Sequence, residues 1–272
     1  MNTEIEKYEK ILKKMELSDA TIRSYVYIAK RFEEFRKQRN IDKELVIEYK
    51  QKMLNDSFAI ATVNLHIVGV NKYIKVCGIV DCEVKSIKVQ RRQSLENVIT
   101  RDEYKRLLEY ALESGYKKYY YIMKTLALTG IRVSELKYIT VRVLEKGYTH
   151  VSNKGKIREI YLPESLTKGL KRYCKEENIS TGVVFRGKKE EAISREAVWK
   201  MLKQFADLLG IDRNKVYPHS FRHYFALSYM ERYSNLFELA DILGHSNLET
   251  TRIYASTSIQ CKRDKMEQLD IF

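Results

Sequence analysis

The sequence predicts a mainly α-helical protein with a small β-sheet, in which a helical N-terminal domain precedes a mixed C-terminal domain. Three observations support this fold class. Apolar residues recur at three- and four-residue intervals through about the first ninety residues. Residues 89–97 carry little such periodicity and separate the two halves. Beyond them, two short segments around residue 153 are typical of a β-hairpin.

The N-terminal domain is expected to span residues 1–90 as a small helical bundle. Ser18 has the side chain of an N-cap, and further helical stretches are expected over residues 42–54 and 60–76. The clearest apolar stripe contains Ile22, Tyr25, Val26, Ala29, Phe32 and Phe35.

A linker is expected over residues 91–99, and a second domain from residue 100 to residue 272. Thr100 and Glu103 have capping-box spacing, which predicts a helix start. Arg91 and Arg92 in the linker have two interpretations, contacts to a DNA backbone or solvated side chains, and the sequence does not choose between them.

The second domain is expected to combine helices with a hairpin. One helix should end at Gly130, and the next should begin near Arg132. Residues 149–151 and 157–162 are predicted strands, with Lys154 at the tip between them.

Further helix boundaries follow from caps and stop residues. A helix is predicted over residues 195–209, with Trp199 on its packed surface. Gly244 should end a later helix, and the capping-box spacing of Ser246 and Glu249 predicts that a helix or tight turn restarts there.

The composition favours a globular protein with a polyanionic partner. Of the 272 residues, 44% are hydrophobic, which argues against a disordered chain; 50 Lys and Arg against 36 Asp and Glu give a net charge of +14. Neutralising phosphates releases counterions, so this charge favours phosphate binding, although it also fits an unspecialised basic surface. With neither a secretory signal nor eighteen consecutive apolar residues, we expect a cytoplasmic protein without a membrane span.

An anion site is predicted where a helix starts at Pro218. His219 and Arg222 are three residues apart and share a helix face, close to the free amides of the first turn. A phosphate there would meet an imidazole and a guanidinium together. Zinc binding by His219 and His223 is the competing idea, but Ser220 stands where the metalloprotease motif has glutamate.

A second group of polar residues follows the predicted stop at Gly244. His245 lies in the turn beyond that glycine, and Tyr254 is close behind it in one compact segment. By itself Tyr254, one of twenty tyrosines, would be interpreted as a packed structural residue.

Four sequence segments, taken in order, indicate a common function for these residues. Together they resemble the motifs of the tyrosine recombinase, or phage integrase, family, and the short chain looks like its Xer-type members. The segments are Thr129-Gly130-Ile131-Arg132-Val133-Ser134-Glu135-Leu136, His219-Ser220-Phe221-Arg222-His223, Leu243-Gly244-His245-Ser246 and Thr251-Arg252-Ile253-Tyr254.

The resemblance implies that Tyr254 attacks a DNA phosphate and forms a 3′-phosphotyrosine, without a metal or other cofactor. Arg132 and Arg222 would hold the nonbridging oxygens of that phosphate. His219 would be a proton acceptor or a phosphate ligand, and His245 would donate a hydrogen bond to the phosphate.

The remaining residues have roles by the same resemblance. Lys154 would protonate the departing 5′ oxygen, with Lys156 as its rival for that role. Glu135 would support the site, and His223 would lie behind it without a part in the chemistry. Plainer interpretations are an intrahelical ion pair of Arg132 with Glu135 and a solvated turn lysine at position 154.

The resemblance also implies a C-shaped clamp in which a core-binding domain and a catalytic domain enclose double-stranded DNA. Four protomers would act on two DNA sites, with a monomer or dimer as the alternative away from DNA. The apolar tail after Tyr254 would dock into a neighbouring protomer. Two other functions stay open, a non-enzymatic DNA-binding protein and a monomeric enzyme of the type IB topoisomerase kind.

Overall fold

The structure is a computed structural model whose described residues form two compact units, residues 1–92 and 93–272. No helix in the described part of the chain combines the length and apolar character that a bilayer span requires. For residues 2, 3, 152, 153 and 156, the backbone alone is described. The described residues are 2–88, 95, 97–153, 156–187, 190–245, 247–255 and 267.

The first unit is a helical bundle, and its second helix begins at the predicted cap, Ser18. Ser18 Oγ accepts a hydrogen bond from the Thr21 N–H at 3.2 Å, and Asp42 Oδ1 accepts one from the Leu45 N–H at 2.8 Å. The predicted helical character of this region is therefore confirmed. Its α-helices are α1 (Asn2–Lys14), α2 (Asp19–Arg36), α3 (Lys43–Asn55) and α4 (Ile60–Val76).

The second unit is mainly helical and contains a two-stranded sheet, which confirms the predicted fold class. The capping box also forms: Thr100 Oγ1 accepts from the Glu103 N–H, and Glu103 Oε2 accepts from the Thr100 N–H. The elements are α5 (Arg101–Glu113), α6 (Lys117–Thr129), a 3₁₀ helix (Val133–Tyr138), α7 (Val141–Lys146), β1 (Tyr148–Asn153), β2 (Lys156–Tyr161), α8 (Glu164–Glu176), α9 (Arg195–Leu208), α10 (Pro218–Tyr233), α11 (Leu236–Leu243), α12 (Glu249–Arg252) and a final 3₁₀ turn (Ile253–Ala255).

The hairpin presents one face to the core. β1 and β2 are antiparallel, with Tyr148 opposite Tyr161 and Val151 opposite Arg158. Val151 and Ile160 are buried in the core. Because directly paired residues share a face of the sheet, Arg158 also points inward. A charged side chain on an inward face needs a partner.

Helix α10 is the support of the candidate site. It begins at Pro218, as the sequence predicts, because proline suits the first helical position. Phe221 is fully buried, and Ser220 Oγ accepts a hydrogen bond from the Ile99 N–H at 3.0 Å. The start of α10 is therefore fixed from two sides, and its first two turns carry three of the candidate residues, His219, Arg222 and His223.

The structure differs from expectation at one helix start and agrees with it at another. The helix expected near Arg132 is a six-residue 3₁₀ helix, Val133–Tyr138, with Arg132 as its N-cap. At the later start, the expected helix forms at Glu249–Arg252 after Leu248, and Asn247 Oδ1 accepts from the Glu249 N–H at 2.9 Å in the turn before it. Ser246, the expected cap, lies outside the described residues.

The prediction for Trp199 is wrong. Its side chain is 48% exposed, although α9 forms at the predicted place. Val198 and Leu202 form the buried face of that helix, and Trp199 is turned about 100° away from Val198. The indole instead lies near the Lys203 ammonium, 5.5 Å from the ring centroid.

The end of the expected linker packs into the second unit, because Val98 and Ile99 are buried there. The linker arginines Arg91 and Arg92 lie outside the described residues.

Candidate active site

Glu135 is the centre of the cationic part of the site. Its carboxylate accepts hydrogen bonds from the Arg132 N–H at 2.7 Å and from Arg132 Nη1 at 3.1 Å. Its Oε2, which accepts from the Arg132 N–H, also accepts from Arg158 Nη2 at 2.6 Å. Glu135 is 3% exposed, so these guanidiniums are its counter-charges in a low-dielectric setting. One carboxylate thus fixes two arginines.

Arg158 is a site residue that sequence reasoning missed. Besides Glu135, it binds the main-chain carbonyl of Ile242 through Nη1 at 2.5 Å. Burial lowers its pKa, while Glu135 acts in the opposite direction. Strand alternation was the available signal, since Arg158 is two residues from the inward apolar Ile160.

Arg222 joins three segments of the chain and is 3% exposed. Its Nη1 donates to the Gly130 carbonyl at 2.5 Å, and its Nη2 donates to the Leu243 carbonyl at 2.6 Å. Both carbonyls stand at helix ends, where backbone oxygens lack helical partners. Burial, and then the neighbouring Arg132 and Arg158, lower the pKa of Arg222.

His245 is held between Arg222 and Thr251. Its Nε2 lies 3.0 Å from Arg222 Nη2, and its Nδ1 lies 2.8 Å from Thr251 Oγ1. Arginine is a donor only, so we assign Nε2 as the acceptor and Nδ1 as the protonated nitrogen. Burial, followed by Arg222, lowers the pKa of His245 to about 4. The imidazole is therefore neutral at neutral pH.

Tyr254 is buried at 7% exposure in an apolar cluster that includes Leu239 and Leu243. Its hydroxyl lies 2.6 Å from His223 Nδ1. Burial raises the pKa of Tyr254 to about 12, and Arg222 opposes that shift. His223 was expected behind the site, whereas it directly contacts the phenol.

His219 occupies the first turn of α10 beside the two arginines. Burial lowers its pKa, followed by the positive charges of Arg222 and Arg132. It also lines an open groove together with Trp199, Lys203 and Val133. On the other side of the arginines, a cavity of about 410 Å³ is lined by residues that include Arg132, Arg158, Asp241, Gly244 and His245.

The candidate lysine is not placed. Lys154 lies outside the described residues, and Lys156 opens β2 with a side chain that is not described. As for metals, the described residues contain no cluster of three His, Cys, Asp or Glu side chains able to hold an ion. His223, one of the two possible zinc ligands considered above, uses Nδ1 for Tyr254.

The arrangement brings two hydrogen-bonded groups of cations together near the phenol, since the charge of Arg222 acts on Tyr254 and is affected by Arg132 and Arg158. Arg132, Glu135, Arg222 and His245 are linked through Arg158 and the carbonyls at two helix ends. Such a set of positive groups can stabilise an oxyanion that gains charge during a reaction.

Comparison with known proteins gives a consistent result. The sequence model described as the phage integrase family matches residues 97–260. "Tyrosine recombinase XerA" from Pyrococcus furiosus is 28% identical over 93% of this chain and 89% of that protein. "Tyrosine recombinase XerA" from Thermococcus kodakarensis is also 28% identical, over 98% of this chain and 95% of that protein.

Solved structures share the fold. The crystal structure of XerA recombinase matches with a TM-score of 0.55 and 23% identity, covering 100% of this chain and 99% of that one. The Tn1549 transposon integrase in complex with transposon right end DNA matches with a TM-score of 0.78 and 16% identity, covering 98% and 99%. The family model spans more than half of the chain, and the resemblance drawn from the motifs is confirmed: the chain belongs to the phage integrase family of tyrosine recombinases.

Proposed function

We propose that this chain is a site-specific DNA recombinase that cuts and rejoins duplex DNA through a 3′-phosphotyrosine on Tyr254. The observation that carries the proposal is the presence of two hydrogen-bonded pairs, Arg132 with Glu135 and Arg222 with His245, beside that phenol. Simple DNA binding needs no buried tyrosine next to a set of cations.

In the proposed reaction, the Tyr254 oxygen attacks a DNA phosphorus atom, the new O–P bond forms, and the bond to the 5′ oxygen breaks. Arg132 and Arg222 hold the nonbridging oxygens, whose negative charge increases in the transition state. Lys154 gives its proton to the departing oxygen, because an alkoxide is a poor leaving group. The phosphotyrosine conserves the bond energy, so a 5′ hydroxyl of another strand reverses the step without ATP.

The two site histidines have different starting positions in this proposal. His219 is a ligand of the phosphate, at the start of α10 where free amides favour an anion. His245 donates to the phosphate, and for this its Nε2 must leave Arg222 and carry a proton, because in the DNA-free protein Nε2 accepts from that arginine. DNA binding therefore has to rearrange this hydrogen bond.

The proposal extends to the partners. Residues 1–92 are the core-binding domain, and Arg91 and Arg92 contact the DNA backbone. Four protomers assemble on two DNA sites in the cytoplasm. DNA binding, within this proposal, is supported by structural neighbours, among them XerH site-specific recombinase bound to difH substrate and a lambda integrase dimer bound to a COC′ core site.

Suicide substrates test the reaction. The full chain is incubated with a pool of nicked duplexes of randomised sequence, and covalent complexes are separated under denaturing conditions and sequenced. We expect a covalent adduct with wild type and none with Tyr254→Phe, which lacks one oxygen and should bind DNA equally well. An adduct with Tyr254→Phe, or DNA binding by wild type without any adduct, would contradict the proposal.

A second readout separates the related functions. Two trapped sites held in one complex indicate a recombinase, whereas adducts that form on single sites with one protomer indicate topoisomerase-like action. Native gels with two DNA lengths distinguish these outcomes.

A further inference from the structure

We propose that His223, and not His219, takes the phenol proton of Tyr254 when the DNA strand is cleaved. This inference rests on the proposed function, and it assigns chemistry to a residue expected to have none.

The contact geometry is the first argument. Among the described residues, His223 provides the hydrogen bond to the Tyr254 hydroxyl, with 2.6 Å between Nδ1 and the oxygen. The two ring centroids are 5.8 Å apart. The His219 side chain, one helical turn earlier, makes no hydrogen bond within the described part of the chain. A proton acceptor has to lie within hydrogen-bond reach of the proton that it removes, and His223 meets that condition.

The charge state is the second argument. On its own helix His223 faces His219 and Arg222, and from the segment after α11 it faces His245 and Tyr254. Burial, then His219 and Arg222, lower the pKa of His223 to about 4. The imidazole is therefore neutral at neutral pH, and the phenol O–H, the stronger donor, points its proton at Nδ1. An acceptor must be unprotonated before the reaction starts.

The pKa values also explain why the proton stays on Tyr254 until DNA is bound. Burial raises the pKa of the phenol to about 12 and lowers that of His223 to about 4, so transfer before the phosphate is attacked is strongly unfavourable. Once the phenol oxygen begins to bond to phosphorus, it loses its basicity, and transfer becomes favourable.

The cleavage step conserves atoms and charge. The O–P bond forms while the O–H bond of Tyr254 breaks, and the proton moves to Nδ1 of His223, which becomes an imidazolium. The 5′ oxygen leaves with its electron pair and receives a proton from the general acid. In the reverse step His223 returns the proton to Tyr254.

Four variants test the inference in single-turnover cleavage of nicked DNA at saturating protein: two at His223, His219→Gln for comparison, and one control. His223→Gln keeps an oxygen that can accept the hydrogen bond but cannot take the proton, and His223→Ala removes both. We expect both variants to cleave about 10² to 10⁴ times more slowly than wild type. His66→Gln is the matched control, because His66 Nδ1 binds the Tyr49 hydroxyl at 2.8 Å in the first unit. It should cleave within about threefold of wild type, since no reacting atom is involved.

A pH profile gives a readout that a merely structural role would not change. Without His223 the phenol has to ionise before it attacks, so the cleavage rate of both His223 variants should rise about tenfold per pH unit between pH 7 and 9. Wild type and His66→Gln should show no such slope. Added imidazole should accelerate His223→Ala, which has space for it, more than His223→Gln.

The outcomes are distinct. A wild-type rate and a flat profile for His223→Gln would overturn the inference, and so would a tenfold slope that appears in His219→Gln instead. If the His223 variants bind DNA and unfold like wild type but form no adduct near neutral pH, the inference still requires measurable cleavage at pH 9. Without cleavage at pH 9, it is overturned. If wild type itself forms no adduct, the proposed function fails and the inference fails with it.

Discussion

Removal of the Glu135 carboxylate should destabilise the second unit more than any surface charge change. Glu135 is the shared acceptor for three donors, the Arg132 N–H, the Arg132 guanidinium and the Arg158 guanidinium. In Glu135→Ala these donors lose their acceptor, and two positive groups remain close together without a counter-charge.

The size of the effect follows from the exposure of each donor. The Arg132 side chain is 25% exposed and can regain water, so its guanidinium contributes little. The Arg132 N–H and Nη2 of Arg158, whose side chain is 10% exposed, lose their acceptor, while Arg158 Nη1 keeps the Ile242 carbonyl. At about 1 kcal/mol for the amide and about 2 kcal/mol for the charged group, the free energy of unfolding should fall by about 3 kcal/mol. Glu135→Gln keeps one acceptor and should fall between this variant and wild type.

Urea unfolding followed by tryptophan fluorescence measures this change directly. Trp199 is the single tryptophan of the chain and lies in the second unit, so its emission reports on that unit. Glu109→Gln is the matched control, because it removes an exposed ion pair with Lys105 and should cost less than about 0.5 kcal/mol. If Glu135→Ala is no less stable than Glu109→Gln, the described role of the Glu135 carboxylate is refuted.

Three further predictions use the same unfolding assay. Gly130→Ala should destabilise the protein by about 1 to 3 kcal/mol more than Gly147→Ala. Both glycines have positive φ, but a Cβ at Gly130 would lie 2.5 Å from a side-chain atom, whereas a Cβ at Gly147 would meet no atom within 4 Å. Equal losses of stability would contradict this. Trp199→Ala should lower the free energy of unfolding by less than about 1 kcal/mol, whereas Phe205→Ala should lower it by about 3 to 5 kcal/mol, with unfolding of both variants followed by circular dichroism. The reversed order would contradict the exposure of Trp199. The pKa of His245 is lowered to about 4, so as pH falls below about 6.5 the unfolded chain protonates this histidine before the folded chain does. The free energy of unfolding should therefore decrease from pH 6.5 to 4, and less steeply in His245→Gln than in wild type. Equal slopes for the two proteins would contradict this.

Local sequence signals predicted the helix boundaries well. The Ser18 and Thr100 caps, the proline at the start of α10 and the glycine stop at Gly244 depend on interactions within about one helical turn. Such interactions are encoded by neighbouring residues, so a single sequence is sufficient to find them.

The site contacts that the sequence did not predict lie between segments that are distant in the chain. Arg158 reaches Ile242 across 84 positions, and His223 reaches Tyr254 across 31. Helical spacing places His223 on α10 but cannot show which later segment packs there. The prediction for Trp199 was wrong for a different reason: its apolar ring can pack either in a core or in an exposed groove beside a lysine. The motifs identified the family, while these pairings needed the folded chain.

The central claim is that Tyr254 forms the covalent bond to DNA, and mass spectrometry of the trapped adduct tests it most directly. After nuclease and trypsin digestion, the tryptic peptide of residues 253–262 contains a single tyrosine together with several serine and threonine hydroxyls. We predict that the residual nucleotide is attached to Tyr254 in this peptide. A nucleotide on any other residue, inside or outside the peptide, would contradict the account.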